Sequence, residues 1–215
     1  MRPNLSHVET WIFDLDNTLY HPSARLFDQI NARMTGFIMR ELAIPRTAAN
    51  ELRRTYWQHH GTTLSGLIEN HRIDPARFLD EVHAIDLSAL RPDAGLASAI
   101  RRLPGARIVH TNGARAHAAR VLAARGLEGL FDAVYAIEDK DLVPKPQPDA
   151  YRRVIRLSGL DPARAAMIED DVRNLEAPKS LGMATVWLCH RIRARSPAFV
   201  DCRITRLIRF LQELA

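Results

Sequence analysis

Only two cysteines occur in the 215 residues, Cys189 and Cys202, too few to staple a domain this long. A reducing compartment is therefore the expectation, although a bond between the two stays open. No apolar run approaches the roughly 20 residues that a bilayer span requires, so no membrane partner is expected. The first six residues, Met1 to Ser6, lack an apolar h-region, which argues against secretion and for a cytoplasmic place. Blocks of like charge are also missing. The net charge is +5, but arginine far outnumbers lysine and acids are interleaved throughout. The nearest thing to a basic patch is Arg191, Arg193 and Arg195, in a segment that reads as a loop. A nucleic-acid polymer is thus not an expected partner.

What is present is the pattern of a globular enzyme, with 47% hydrophobic and 26% charged residues. Residues 8–13 form a β-branched and aromatic run that ends in Asp14-Leu15-Asp16-Asn17-Thr18. That reads as a strand delivering a polar turn. Helical periodicity follows over Ala24 to Leu42, Thr47 to His59 and Pro75 to Ala84, with Pro75 suited to a first turn. From Arg91 the texture becomes an alternation. Helices are expected at Ala94 to Leu103, Ala114 to Arg125, Asp149 to Leu157 and Leu175 to Leu181. Strands are expected at Arg107 to His110, Ala133 to Ala136, Ala165 to Ile168 and Ala184 to Leu188. The tail from about Ile204 reads as an amphipathic helix. Such alternation predicts an α/β fold, a Rossmann-like parallel sheet with helices on both faces. In that architecture ligands gather beyond the C-terminal strand ends.

The polar residues cluster there. Asp14 and Asp16 follow the first strand, Thr111 and Asn112 the second, and Glu169, Asp170 and Asp171 the fourth, while Lys145 lies between two prolines after the third. Phosphoryl transfer needs this set. An Asp carboxylate attacks phosphorus only when the phosphate's charge is neutralised, which a hard cation such as Mg²⁺ with oxygen ligands can do. Asp14 and Asp170 offer those oxygens, with the main-chain carbonyl of Asp16 as a third. Thr111, the turn Asn112-Gly113 at a helix N-terminus and Lys145 offer donors to phosphate oxygens. Asp16 is the candidate acid and base.

Those segments, Phe13 to Tyr20, Thr111-Asn112-Gly113, Lys145-Pro146 and Glu169-Asp170-Asp171, resemble the motifs of the haloacid dehalogenase-like superfamily across nearly the whole chain. The resemblance implies Asp14 as nucleophile, Asp16 as acid/base, Thr111 and Lys145 as phosphate binders and Asp170 as metal ligand. It also implies a helical cap at residues 20–90 inserted into a core of residues 1–19 and 91–215. Within the superfamily, Asp16 to Tyr20, Gly61 to Leu67 and Asp170 to Asn174 are similar to the pyrimidine 5′-nucleotidase group, although Asn174 stands where many relatives carry an acid. A phosphatase for pyrimidine nucleoside 5′-monophosphates or another small phosphate ester is the expected activity, as monomer or homodimer. A phosphomutase would keep the same site. A dehalogenase would lack Asp16, and a non-catalytic binder would have lost Asp14, Asp16 or Lys145. Gly61 to Leu67 reads equally as a loop between cap helices or as a ligand-approaching segment. Tyr56, Trp57, His59 and His60 read as core aromatics or as a surface for a base.

Overall fold

A computed structural model describes residues 5–190 and 195–214. Six strands form one parallel sheet in the order β3-β2-β1-β4-β5-β6: β1 Thr10–Phe13, β2 Ala106–His110, β3 Ala133–Tyr135, β4 Ala165–Glu169, β5 Ala184–Leu188 and β6 Cys202–Ile204. The order reverses direction about β1, which pairs with β2 on one side and β4 on the other. Phe13 stands in register with both Val109 and Ile168. The ends of these three strands therefore open side by side, at the switch point where doubly wound sheets bind ligands.

Alternation along β1 sets the two faces. Trp11 and Phe13 join one cluster and Ile12 the other, all at most 1% exposed. Burying a side chain of that size contributes about 1.5–3 kcal/mol. Helices α5 (Ala94–Arg101), α6 (Arg115–Ala124) and α9 (Leu207–Gln212) cover the first face. Helix α7 (Pro148–Ser158) supplies Val154 to the second.

Four helices intervene between β1 and α5: α1 Leu26–Leu42, α2 Arg46–His60, α3 Thr63–His71 and α4 Pro75–His83. They enclose an apolar cluster of their own, centred on Phe37, Tyr56, Leu67 and Phe78, with Phe37 and Phe78 edge to face at 5.1 Å. Most of Gly61 to Leu67 proves helical rather than a loop. The Thr62 hydroxyl accepts the Ser65 N–H at 3.1 Å and caps α3 there, so the small residues behind it continue as a helix. Asp74 caps α4 in the same way, with Pro75 in the first turn.

Two other expectations change. Residues 175–181 divide into a 3₁₀ turn, Val172–Leu175, and a short helix α8, Glu176–Ser180, because Asp171 caps the turn early. The tail does not enter its helix at Ile204; residues 202–204 pair with β5 as an edge strand too short to show periodicity, and α9 begins at Leu207. Cys189 and Cys202 are buried thiols, not a disulfide. Arg191 and Arg193 lie outside the described residues, and Arg195 is exposed. Among the described residues, no helix is long and apolar enough to cross a membrane.

Gly66 marks the closest approach of α2 and α3. A Cβ there would stand 2.3 Å from Cγ of Tyr56. Gly66→Ala is expected to force the helices apart and cost about 1–3 kcal/mol, read as a lower urea midpoint with unchanged slope.

Candidate active site

Past β1 the chain turns instead of continuing extended. Asp14 still donates its N–H to Ile168 O of β4 at 2.9 Å, and three residues later Asn17 takes φ 61°. Asparagine enters this left-handed region more readily than most residues. The turn sets Asp14 and Asp16 against different partners. Asp14 Oδ1 accepts from Lys145 Nζ at 2.7 Å, whereas its buried Oδ2 has no partner among the described residues. Asp16 Oδ1 pairs with His117 Nε2 and with the Tyr20 hydroxyl, each at 2.8 Å.

Lys145 is 1% exposed and divides its ammonium between Asp14 and Glu169, both at 2.7 Å. Its loop is clamped by Asn112, whose Oδ1 accepts the Lys145 N–H at 2.9 Å and whose Nδ2 donates to Lys145 O at 3.0 Å. The Asn112 side chain is therefore spent on the lysine loop, which leaves the backbone of the Asn112-Gly113 turn, the part from which donors to phosphate were expected. The helix expected at Ala114 starts at Arg115, and the Glu138 carboxylate already takes the Arg115 N–H. The Thr111 hydroxyl is buried and accepts from Gly113 N at 2.9 Å, so its own hydrogen remains to be donated.

Asp14, Glu169 and Asp170 each bring a carboxylate oxygen within 4.8 Å of the others. The side chain of Asp16 is not in that group, so this residue could reach a cation only through its main chain. Glu169 is heavily bonded: Oε1 receives Lys145 and Asn174 Nδ2, and Oε2 receives Asp171 N. Asn174 thus faces the acids as a donor. Asp171 turns away to chelate Arg173.

Three carboxylates meet one ammonium here, leaving an excess of two negative charges. The strain shows in their protonation. Burial, followed by repulsion from Glu169, raises the Asp14 carboxyl to about 7 and Asp170 to about 9. Burial would depress Lys145, but Asp14 and Glu169 outweigh it and hold its amine above the ordinary range. Burial would likewise raise Asp16, yet His117 and Tyr20 bring it below the usual carboxylate value. The unpartnered Asp14 Oδ2 and the excess charge fit a hard divalent cation.

Sequence reasoning missed several residues. Lys140 is fully buried and donates to Thr111 O at 2.7 Å; burial and neighbouring Lys145 depress its amine. In the acidic run Glu138-Asp139-Lys140-Asp141 it reads as surface. His117 gave no spacing signal. Of the aromatic group, Tyr56 is core, while Trp57 is 45% exposed and lies 3.7 Å beneath the Arg173 guanidinium. His59 is exposed, and His60 pairs with Glu69.

Residues 8–182 match the model of haloacid dehalogenase-like hydrolases, and the chain belongs to that family. Among curated proteins it is 28% identical, over 83% of its length, to phosphate metabolism protein 8 of Saccharomyces cerevisiae, and spans 60% of that protein. It is also 28% identical, over 81% of its length, to a phosphoglycolate phosphatase of Mesorhizobium japonicum, spanning 80% of it. The fold resembles that of a HAD phosphatase from Thermococcus onnurineus, with TM-score 0.66 and 19% identity over 97% of this chain and 98% of the other. It also resembles a Bacillus subtilis HAD-hydrolase bound to magnesium, with TM-score 0.62 and 16% identity over 96% and 98%.

The raised carboxyls carry a sign. A group whose folded pKa lies above its unfolded value stabilises the fold at low pH and loses that contribution as pH rises through the folded value. For Asp14 and Asp170 the loss runs through about 7 and 9. The metal-free protein is therefore expected to lose thermal stability progressively from about pH 4, through about 7 for Asp14, up to about 9 for Asp170. Added Mg²⁺ should raise Tm more at pH 9 than at pH 7, by calorimetry. An increment that shrinks with pH would remove the cation from this site.

Proposed function

We propose that this protein is a Mg²⁺-dependent phosphomonoester hydrolase that works through an aspartyl phosphate on Asp14. The carrying observation is the unpartnered Oδ2 of Asp14 beside two further carboxylates and a buried lysine. Asp14, Asp170 and the main-chain carbonyl of Asp16 would hold the cation. When bound, Mg²⁺ supplies charge neutralisation and orientation to the phosphate. Asp14 Oδ2 attacks phosphorus while Lys145 keeps Oδ1 fixed and meets the phosphate's charge together with the Thr111 hydroxyl. Asp16 passes a proton to the departing alkoxide, then takes one from the water that cleaves the aspartyl phosphate, leaving alcohol and inorganic phosphate. His117 and Tyr20 favour the carboxylate form, which suits the second half; an arriving phosphate opposes them and favours the protonated form for the first.

Residues 20–90 are proposed as a cap over a core of residues 1–19 and 91–215, in keeping with the separate apolar cluster of α1 to α4. Small phosphorylated metabolites are the proposed substrates, pyrimidine nucleoside 5′-monophosphates first, in the cytoplasm. Exposed Trp57, on the cap side of the site, supports a flat base as part of the substrate. Membership of the family also admits dehalogenation, but that chemistry has no use for Asp16 or Asp170.

Asp14→Asn should reduce phosphate release to background while circular dichroism stays native, and a chelator should do the same to the wild type. Activity surviving in Asp14→Asn would overturn the nucleophile. Ranked by kcat/KM, UMP or CMP should exceed sugar phosphates and phosphoglycolate; a ranking led by phosphoglycolate would replace the nucleotide reading and leave the chemistry.

A further inference from the structure

Asp16 is gripped on one side only. Its Oδ1 receives the Tyr20 hydroxyl and the Nε2–H of His117, both at 2.8 Å. A carboxylate only accepts, so the imidazole hydrogen lies on Nε2. With two donors on Oδ1, a proton carried by this carboxyl belongs on Oδ2. That oxygen lies on the phosphate side. A Cβ placed on Gly113 would stand 3.4 Å from Asp16 Oδ2, 3.2 Å from Thr111 Oγ1 and 3.1 Å from the His117 ring, so one point touches all three.

The imidazole is held in place as firmly as the carboxylate. Its side chain is 0% exposed, and His83 of α4 stacks on its face with centroids 4.5 Å apart and planes 23° from parallel. His83 is itself fixed, through Nδ1 to Leu79 O at 2.9 Å. Arg120, one turn beyond His117 on α6, donates to His83 O at 3.0 Å and Ile85 O at 2.7 Å. If His117 served only to fill space, an apolar side chain would do so at lower cost, because its buried Nδ1 has no partner among the described residues.

We propose that His117, with Tyr20, is a positioning residue that turns Asp16 so that its proton-carrying oxygen faces the leaving group, and that His83 of α4 keeps His117 in register. The inference rests on the hydrolase reading above, with Asp16 as acid.

The test is a series of substituted phenyl phosphates, compared by kcat/KM, which reports the step that releases the phenol. p-Nitrophenolate leaves without a proton, whereas p-methoxyphenolate is more basic and benefits from one. In the wild type the two should differ little. His117→Ala should widen the gap by on the order of tenfold or more, as loss of acid assistance does. His117→Gln, which keeps an N–H donor, should close most of it. Tyr20→Phe, nearly isosteric and so safe for the fold, should widen it in the same direction. If His117→Ala slows every phosphate by one common factor, the histidine is structural and the proposal falls while the hydrolase reading stands. If wild-type protein with Mg²⁺ cleaves none of the series, the hydrolase reading fails and takes the proposal with it.

Discussion

The ammonium of Lys145, 2.7 Å from both Asp14 and Glu169, is the contact on which the site depends. The carboxylates it joins bring oxygens within 4.8 Å of each other, where like charges inside a protein repel by on the order of several kcal/mol, and each has also been taken out of water. A lone pair of buried acids would resolve the conflict by taking up protons. Lys145 counters this for Asp14, because it neutralises one oxygen and leaves the second buried without a partner among the described residues. Breaking such a bridge from either end leaves an unpaired buried charge, which costs about 3–5 kcal/mol. The lysine therefore needs its own supports: Asn112 bonds to both sides of its peptide unit, and Lys140 in turn holds Thr111 and Asn112 from below.

This arrangement is available only because of the strand order. β1 lies between β2 and β4, so residues more than 150 positions apart in sequence, Asp14 and Asp170, end on neighbouring strands. The long loop after β3 brings in the lysine. A sheet wound in one direction would have put the same residues at successive distances along its edge, with no crevice between them.

Legibility in the sequence followed how each constraint is encoded. The parallel sheet was readable because its strands are written as short, largely apolar runs alternating with helical stretches, as in Arg107 to His110 and Ala165 to Ile168. Asp14 and Asp170 drew notice as acids just past strand ends, and Lys145 as a lysine between two prolines in the loop after β3. Burial of an isolated polar residue leaves no such trace. Lys140 looks like one more charge in an acidic loop, and His117 like a polar residue on an alanine-rich helix; only the packing of α4 on α6 shows the second to be buried. The partners of the Asn112 side chain were not readable for a related reason. Its position beside Thr111 marks it as part of the site, but which of several neighbours its amide engages is decided by the course of the Lys145 loop, some 30 residues away.

The helical unit and the sheet meet around the site at three places, each different in chemistry. His83 stacks on His117 behind Asp16; Trp57 lies under Arg173, two residues beyond Asp171; and Gly61 packs on the lysine loop. At Gly61, φ is 81° and a Cβ would stand 3.3 Å from Pro146 Cδ and 3.4 Å from Lys145 O, so only glycine allows both the backbone shape and the approach. A rigid seam would have been built from one continuous apolar face, as inside the helical unit itself. Part of the seam is of that kind: Leu26 and Ile30 of α1, with Ile85 and Leu90, are buried in the main core cluster, and Ala114 and Ile137 join the helical one, while rings and a bare backbone segment make the contacts at the site. Each of the three contacts bears on a different part of the proposed site: Asp16, the loop after Asp171 and Lys145. Docking of the helices is thus tied to the arrangement of these side chains.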